Sequence, residues 1–408
     1  MQKLAIGHNQ RHIVTADGKP FFWLADTAWD LFRQLDLEQA DFYFATRAAQ
    51  GFNVIQAVLI SEFESLAPDS GNVHGQPSLH DWNPATPNQA YFEHVDQMLE
   101  LAAKYQLYIA LLPTWGDKVG PLLHGTGPLV FTVDNAAEYA RFLAKRYAEY
   151  NQIIWMIGGD RTPRSKQQFE IWRTIALTLN QYGANQLKTF HPQGETSSSW
   201  YMHSENWLDL NAVQSGHAVR NNPLEQQLID VDYARQPIKP VLNAEPCYEA
   251  IPVNLQYANG LFTALDIRQA AYTAVFHGAC GHTYGHYSIF MFHSWQRPGA
   301  WADPQMLEWQ QALLSEGASQ MQHLKNLLTE CDFTTLSPVF LTQAGVFAVG
   351  NTKMTLFYLP THLTNLDFNL DAQNAFWFDP RDGSRQLAEQ PYIKPLEWQD
   401  AVLVVSYS

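Results

Sequence analysis

Short apolar runs alternate with longer amphipathic segments from near the N-terminus to about residue 325. The short runs have the length and the aliphatic or β-branched content of buried strands. Because helical patterns separate them, they predict βα units and a parallel sheet. The eight predicted strands cover residues 21–25, 53–59, 107–112, 152–157, 187–190, 212–214, 240–243 and 278–282.

The amphipathic segments between these runs repeat their apolar positions with the period of a helix. Gly51 follows the first helix and predicts a left-handed C-terminal cap, while Asp134 is a good N-cap for the third. The seven predicted helices cover residues 37–50, 91–105, 135–150, 167–181, 224–234, 264–277 and 304–328.

Eight strands over about 300 residues fit an α/β fold of the (β/α)8 TIM-barrel type. An open doubly wound sheet is the alternative, and it would carry a glycine-rich loop after its first strand. The corresponding segment here, Phe22-Trp23-Leu24-Ala25-Asp26-Thr27, has no glycine. The pattern therefore favours a barrel, which we place at residues 1–328.

Beyond residue 328 the apolar pattern changes to short alternating runs at 346–349, 354–358, 375–378 and 401–406. Turn signals, Gly350-Asn351 and Asp382-Gly383, stand between them. Alternation of this kind with tight turns is typical of antiparallel strands. We predict a small C-terminal β-sandwich domain over residues 329–408.

Composition narrows the classes of function. The 408 residues carry a formal net charge of −15, which disfavours nucleic acid as a partner. Only 16% of residues are charged and 13% are aromatic, including 13 tryptophans, so the chain is not disordered. Trp155 and Trp172 fall on predicted core faces. We expect Trp115 and Trp200 to face a ligand and the rest of the tryptophans to belong to the core.

Three cysteines, Cys247, Cys280 and Cys331, are too widely spaced for a CxxC metal site and odd in number for a disulfide framework. No run approaches the roughly 18 apolar residues of a membrane span. The N-terminus lacks the apolar core of a signal peptide. We expect no membrane partner and a cytoplasmic location, or a secreted or periplasmic one if a leader precedes this chain.

Candidate chemistry follows from the barrel, because barrel enzymes carry their sites on the loops after each strand. Polar and aromatic residues stand at all eight predicted strand ends. We expect the following to line a substrate pocket: Asp26, Trp115, Asp117, His191, Trp200, Gln214, His217, Tyr248, His282 and Tyr284.

Two carboxylates at strand ends are distinguished by their neighbours. Asp160 follows Gly158-Gly159, which lets the backbone turn tightly, although a helix N-cap would also explain this aspartate. Glu245 precedes Pro246, which favours an extended backbone, although an ordinary loop glutamate remains an alternative. A carboxylate pair ringed by indoles suits glycoside hydrolysis.

Two other hydrolase chemistries are possible in principle. His282, His286 and His293 near the eighth strand suggest a metal-dependent barrel hydrolase, but the His-x-His pair expected after the first strand is replaced by Ala25-Asp26-Thr27. A Ser/His/Asp hydrolase would show a Gly-x-Ser-x-Gly elbow, which the sequence lacks. We therefore expect no metal and no cofactor.

The chain closely resembles the apiosidase-like glycoside hydrolases, family 140, over essentially its whole length. Seven motifs in order carry the resemblance: Asp26-Thr27-Ala28-Trp29, Gly51-Phe52-Asn53-Val54-Ile55-Gln56, Leu112-Pro113-Thr114-Trp115-Gly116-Asp117-Lys118, Ile154-Trp155-Met156-Ile157-Gly158-Gly159-Asp160-Arg161, Gln214-Ser215-Gly216-His217, Glu245-Pro246-Cys247-Tyr248-Glu249 and Gly281-His282-Thr283-Tyr284-Gly285-His286. Members of that family carry a barrel followed by a small domain of the collagen-binding type.

The resemblance implies a retaining, exo-acting apiosidase that releases the branched pentose apiose from plant glycans or glycosides. Asp160 falls on the family's general acid/base and Glu245 on its nucleophile. In that mechanism the two carboxyl groups lie about 5–5.5 Å apart. The alternatives are a glycosidase of the same fold acting on another sugar, and a non-catalytic carbohydrate-binding or adhesion protein.

Overall fold

The computed structural model describes residues 1–66, 71–120, 127–299 and 301–407. Its largest sheet is a curled one of nine strands, preceded by a small antiparallel sheet of three. The small sheet contains β1 (Leu4–Ile6), β2 (Ile13–Thr15) and β3 (Pro20–Phe21). The nine strands of the large sheet are β4 (Trp23–Thr27), β5 (Val54–Val58), β6 (Tyr108–Leu112), β7 (Ile153–Gly158), β8 (Lys188–His191), β9 (Thr196–Ser197), β10 (Asn211–Gln214), β11 (Val241–Asn243) and β12 (Gly281–Tyr284).

Eight of these strands pair in parallel, in the order β8-β7-β6-β5-β4-β12-β11-β10, while the short β9 is antiparallel to β10. The sheet closes where β8 meets β10: Asp209 N–H donates to Lys188 O over 2.9 Å, and Thr189 Oγ1 donates to Leu210 O over 2.9 Å. The predicted TIM-like barrel is confirmed, and each predicted strand overlaps one of the eight.

Helices cover the outside of the barrel, and all seven predicted helices have counterparts. Asp36 caps the first long one by a capping box, and Gly51 follows its end with φ +87°, as predicted. The helices are α1 (Leu31–Gln34), α2 (Leu37–Ala49), α3 (Gln89–Lys104), α4 (Val133–Tyr147), α5 (Lys166–Gln181), α6 (Ser199–Met202), α7 (Pro223–Ala234), α8 (Ala264–Phe276), α9 (Trp309–Ala312) and α10 (Glu316–Glu330).

Two details of the helix predictions are wrong. Thr132, not Asp134, caps α4, because the Thr132 hydroxyl accepts the N–H of Asn135 in a capping box while Asp134 lies in the first turn. The segment predicted as one helix over residues 304–328 is broken into α9 and α10 at Ser315, whose extended backbone starts the second helix. Trp155 and Trp172 are buried in the core, as predicted.

The C-terminal part forms one antiparallel sheet with two buried faces. On β15 and β18, Leu356 and Val404 pack against the barrel core, whereas Phe357 and Leu403 pack beneath the domain's own loops. The predicted antiparallel structure is confirmed. The predicted sandwich would need two sheets, whereas the described residues 337–406 form one sheet, and loops cover its second face. The strands are β13 (Ser337–Pro338), β14 (Phe347–Gly350), β15 (Met354–Leu359), β16 (Asn374–Phe378), β17 (Arg385–Leu387) and β18 (Ala401–Ser406).

No helix in the described part of the chain is long and apolar enough to cross a membrane.

Candidate active site

A cavity of about 390 Å³ opens among the loops that follow the barrel strands. This is the end of the barrel at which enzymes of this architecture carry their sites. Its walls combine both carboxylates with many aromatic side chains. The lining residues are Trp29, Val58, Ser61, Glu62, Phe63, Trp115, Asp160, Gln214, His217, Glu245, Tyr248, Ile251, Leu255, Tyr287, Phe290 and Trp301.

Asp160 reaches the cavity through a backbone turn that depends on two glycines. Gly158, Gly159 and Asp160 have φ values of +89°, +146° and +52°. A Cβ on Gly158 would lie 2.6 Å from His191 O, and one on Gly159 would lie 2.8 Å from Gly116 N. The strand can therefore turn inward only without side chains at these positions. Since Ser165 caps α5, Asp160 is not the helix cap that the sequence left open.

The surroundings of Asp160 raise the pKa of its carboxyl group. Its Oδ2 accepts from Arg161 Nη1 at 2.6 Å, and its Oδ1 accepts from Gly194 N–H at 3.3 Å. Burial within the cavity walls raises the pKa of Asp160, and the negative charge of Glu245 raises it further; the cation of Arg161 opposes both effects only in part. A carboxyl group with a raised pKa can serve as a general acid.

Glu245 is held in the opposite state by two imidazoles. His191 Nε2 lies 3.1 Å from Glu245 Oε2, and His217 Nε2 lies 3.3 Å from Glu245 Oε1. Burial alone would raise the pKa of this carboxyl, but the hydrogen bonds from the two histidines outweigh it and lower the pKa of Glu245 to about 2. Glu245 is thus an anion, as a nucleophile must be.

His191 links the two acids, although it has no exposed surface. Its Nε2 contacts Glu245, while its Nδ1 accepts the backbone N–H of Asp160 over 3.3 Å. The ring is held edge-on against Trp29, with the ring centres 5.1 Å apart. The buried imidazole of His191 therefore contacts both the turn after β7, which carries Asp160, and the carboxylate of Glu245 after β11.

Aromatic rings form the floor of the cavity around Glu245. Trp29 and Trp115 are in contact, with their ring centres 5.1 Å apart. Trp29 Nε1 donates to the hydroxyl of Tyr248 over 3.1 Å, and the ring of His217 packs on Tyr248 at 4.5 Å. Such a floor offers apolar faces to the C–H groups of a sugar while its polar neighbours remain within reach of hydroxyl groups.

The cavity therefore contains four of the predicted substrate-binding residues, Trp115, Gln214, His217 and Tyr248, together with Asp160 and Glu245. His191 contacts Glu245 from behind the cavity wall. The other five predicted residues, Asp26, Asp117, Trp200, His282 and Tyr284, are not among its lining residues.

Four of those five are buried away from the cavity. Asp26 Oδ2 accepts from Arg47 Nε at 2.6 Å and from the Tyr43 hydroxyl, both on α2, and has no exposed surface. Asp117 is ion-paired with Lys118 in the interior.

His282 and Tyr284 lie on the side of β12 that faces the helix layer, because Thr283 between them points into the barrel toward Trp23 Nε1. Tyr284 donates its hydroxyl hydrogen bond to Glu249 Oε2 over 2.6 Å, and burial lowers the pKa of His282 to about 3. Trp200 lies on α6 with 48% of its surface exposed, away from both carboxylates. Position at a strand end was therefore not sufficient to bring a side chain into the cavity.

Several cavity residues were not among the predicted set. Glu62 lines the cavity and, like Asp160, follows a strand end. Arg161 also follows a strand end but is not among the lining residues. Arg161 pairs with Asp160 and also contacts Glu62 Oε1 at 3.3 Å. Among the other aromatic lining residues, Trp29, Phe63 and Tyr287 also stand within a few residues of a strand end. Phe290 and Trp301 have no such signal, because they lie further along the segment that follows β12.

Over the ranges that the structure describes, no group of three or more His, Cys, Asp or Glu side chains is placed to hold a metal ion. His282 lies on β12, His286 and His293 lie in the segment that follows it, and all three side chains are buried. The cavity does contain two carboxyl groups whose pKa values are shifted in opposite directions, that of Asp160 upward and that of Glu245 downward. Cleavage of a glycosidic bond by an acid and a nucleophile requires such a pair.

Comparison with known proteins finds one matching family and several similar glycoside hydrolase structures. The family described as "Apiosidase-like, catalytic domain" matches residues 7–335. A solved structure described as "Glycoside hydrolase" is 31% identical, with a TM-score of 0.87, covering 100% of this chain and 97% of that one. A glycoside hydrolase family 5 structure from Bacteroides vulgatus ATCC 8482 is 28% identical, with a TM-score of 0.86, covering 100% of this chain and 93% of that one.

A second structure from Bacteroides vulgatus ATCC 8482, titled as a glycoside hydrolase, has 13% identity and a TM-score of 0.70 and covers 99% of this chain and 82% of that one. It supports the fold alone. No curated protein matches the chain.

Proposed function

The chain belongs to the apiosidase-like family of glycoside hydrolases, and we propose that it is an exo-acting β-apiosidase with a retaining mechanism. It releases apiose from plant glycans or glycosides. The observation that carries the proposal is the pair of carboxyl groups in one cavity, with the pKa of Asp160 raised and that of Glu245 lowered to about 2.

In this mechanism Asp160 donates its proton to the glycosidic oxygen as the bond to the leaving group breaks. Glu245 attacks the anomeric carbon and forms a covalent glycosyl-enzyme. Asp160, now ionised, takes a proton from water, which attacks the anomeric carbon and releases the sugar. Arg161 holds Asp160 in place, and the two histidines keep Glu245 ionised between turnovers.

The size of the cavity supports a small glycone. At about 390 Å³ it lies near the lower end of the roughly 300–1,000 Å³ range of small-molecule sites. A single furanose ring with its leaving group fits that volume. The floor of Trp29, Trp115 and Tyr248 supplies apolar contact, and Gln214 and Glu62 supply polar partners for hydroxyl groups.

The test of glycone specificity is a panel of aryl β-apiosides, arabinosides, xylosides and glucosides, assayed with and without EDTA. We expect the apioside to have the highest kcat/KM and EDTA to have no effect. Preference for another pentose would replace apiose by that sugar and leave the carboxylate mechanism in place. Hydrolysis of none of them would contradict the enzyme proposal and favour a carbohydrate-binding protein.

Substitution of either carboxylate is expected to abolish turnover. Asp160→Asn and Glu245→Gln should each lower kcat by about 10²–10⁴-fold or more, because each removes a group that acts in the transition state. Mass spectrometry of Asp160→Asn with an activated aryl substrate should detect a glycosyl-enzyme at Glu245, since deglycosylation then lacks its base. Asp117→Asn, which alters a buried carboxylate outside the cavity, is the control. Near-normal turnover in either catalytic variant would refute the assignment.

A further inference from the structure

The cavity consists of two parts that differ in chemistry. The inner part surrounds Glu245 and contains the polar groups described above. The outer part, here called the outer wall, is built from six largely apolar side chains: Phe63, Ile251, Leu255, Tyr287, Phe290 and Trp301. Its only polar side-chain groups are the Tyr287 hydroxyl and the Trp301 indole N–H.

The rings of the outer wall form one connected cluster. Phe290 is stacked with Tyr287 at 6.2 Å and contacts Phe63 at 5.9 Å between ring centres. Trp301 meets Phe63 at 5.4 Å with an interplanar angle of 85°. Phe290 also contacts Tyr248 of the inner part at 5.8 Å. The apolar surface therefore continues from the outer wall to the residues beside the nucleophile.

The outer wall adjoins the acid side of the site. Phe63 directly follows Glu62, whose Oε1 lies 3.3 Å from Arg161, and Arg161 pairs with Asp160 at 2.6 Å. A general acid protonates the oxygen of the leaving group, so the leaving group must lie beside it. A leaving group held beside Asp160 would therefore extend toward Phe63 and the outer wall.

Two wall residues form an exposed rim. Trp301 has 50% of its surface exposed and Leu255 has 69%, whereas Phe63 and Phe290 are buried. Since Trp301 touches Phe63 nearly perpendicularly, the edge contact leaves indole surface free for a ligand. Both side chains line the same cavity, so a flat apolar group at its rim can contact the indole of Trp301 and the side chain of Leu255.

We propose that the outer wall is a subsite for an aromatic aglycone, so that the natural substrates are aryl glycosides of small molecules and not oligosaccharides. This rests on the proposed glycosidase function but not on the identity of the glycone. A saccharide leaving group would place hydroxyl groups against Phe63, Ile251 and Phe290, whose side chains offer them no hydrogen bond. A phenolic ring system loses no hydrogen bonds there and gains apolar contact.

The first experiment compares leaving groups of similar acidity but different apolar size. Phenyl and 2-naphthyl glycosides, made with whichever sugar the panel shows to be hydrolysed, are assayed beside a disaccharide with the same non-reducing sugar. We expect a lower KM for the naphthyl than for the phenyl glycoside and the poorest kcat/KM for the disaccharide. Equal KM values for the two aryl glycosides, or a preferred disaccharide, would overturn the subsite.

The second experiment locates the effect on the rim. Trp301→Ala is expected to raise KM for the naphthyl glycoside about 3- to 10-fold, the size of one lost aromatic contact. Where deglycosylation limits turnover, kcat should not change, because the aglycone has already left. Trp295→Ala is the matched control, since Trp295 is also half exposed, at 51%, but does not line the cavity. Equal KM values in the two variants would contradict the proposal.

Calorimetric titration with 2-naphthol separates this inference from the proposed function. The wild-type protein and Trp295→Ala are expected to bind it more tightly than Trp301→Ala and Leu255→Ser, whether or not any glycoside is cleaved. If no glycoside is hydrolysed, the proposed function is wrong, but the titration still shows whether the outer wall binds an aromatic ring. Absence of binding, or binding that both rim variants retain, would reject the subsite even for an active glycosidase.

Discussion

The ionisation of Glu245 depends on residues far from it in the sequence. His191 and His217 stand 54 and 28 positions earlier, at the ends of β8 and β10, and both direct Nε2 toward its carboxylate. The sequence selected Glu245 through its position and Pro246, but it carried no information on charge state. That state follows from contacts which only barrel closure creates.

Removal of one of these contacts should move the pH profile. His217→Asn is expected to raise the pKa of Glu245 from its lowered value, because one of two hydrogen bonds that stabilise the anion is weakened. A carboxylate with a depressed pKa is lost as pH falls through that pKa, so the acid limb of kcat/KM should shift to higher pH. The measurement is kcat/KM against pH with an aryl glycoside.

His362→Asn is the control for this shift, since His362 is exposed and lies in the C-terminal part, outside the catalytic cavity. Its profile should coincide with that of the wild type. An unchanged acid limb in His217→Asn would show that His217 does not maintain the ionised state.

At the scale of elements, the strands alternate their side chains between the barrel interior and the helix layer. Asp26 and Tyr284 lie at strand ends and still face helices, whereas Thr27 and Thr283 point inward to Gln56. Sequence position predicted the ends of the strands but not the direction of each side chain, because a displacement of one residue reverses it.

Asp26 is therefore expected to act on stability and not on sugar binding. Asp26→Asn leaves the buried Arg47 without its counter-charge, and loss of one partner of a buried pair costs about 3–5 kcal/mol in the free energy of unfolding. Chemical denaturation should report this loss, while kcat per folded molecule at low temperature stays near wild type.

Asp41→Asn serves as the matched control for Asp26→Asn. Asp41 also lies on α2, where it pairs with Lys104 at the surface. Exposed pairs contribute little to stability, so its denaturation midpoint should be close to that of the wild type. A large loss of sugar affinity in Asp26→Asn, with unchanged stability, would restore its predicted place in the pocket.

At the scale of the whole molecule, a shared core joins the barrel to the C-terminal sheet. Leu356, Tyr358 and Val404 belong to the same buried cluster as barrel residues such as Trp23. A buried ion pair reinforces the junction: Arg268 on α8 contacts Asp400 at 2.6 Å. Continuous packing of this kind predicts that the barrel and the sheet unfold together.

Arg268→Met should weaken that junction. It leaves Asp400 buried without its cation, which we expect to lower the free energy of unfolding by about 3–5 kcal/mol. Calorimetry of the wild type should show a single unfolding transition. The variant should show either one transition at a lower Tm or two separated transitions. Arg385→Met is the control, because the Arg385–Glu330 pair joins the same two parts at the surface. Equal Tm values for the two variants would contradict the role of the buried pair.

Patterns along the chain were enough to predict the order of strands and helices, the change to antiparallel structure after the barrel, and the two acids at the ends of β7 and β11. These features are local: they depend on periodicity, glycine and proline, which act within a few residues. Which strand-end side chains meet could be read only from the folded barrel. Trp301 and Phe290 come to the cavity on long loops, and Asp26 turns away from it, because barrel closure and the inward or outward direction of each residue are set by contacts between distant segments.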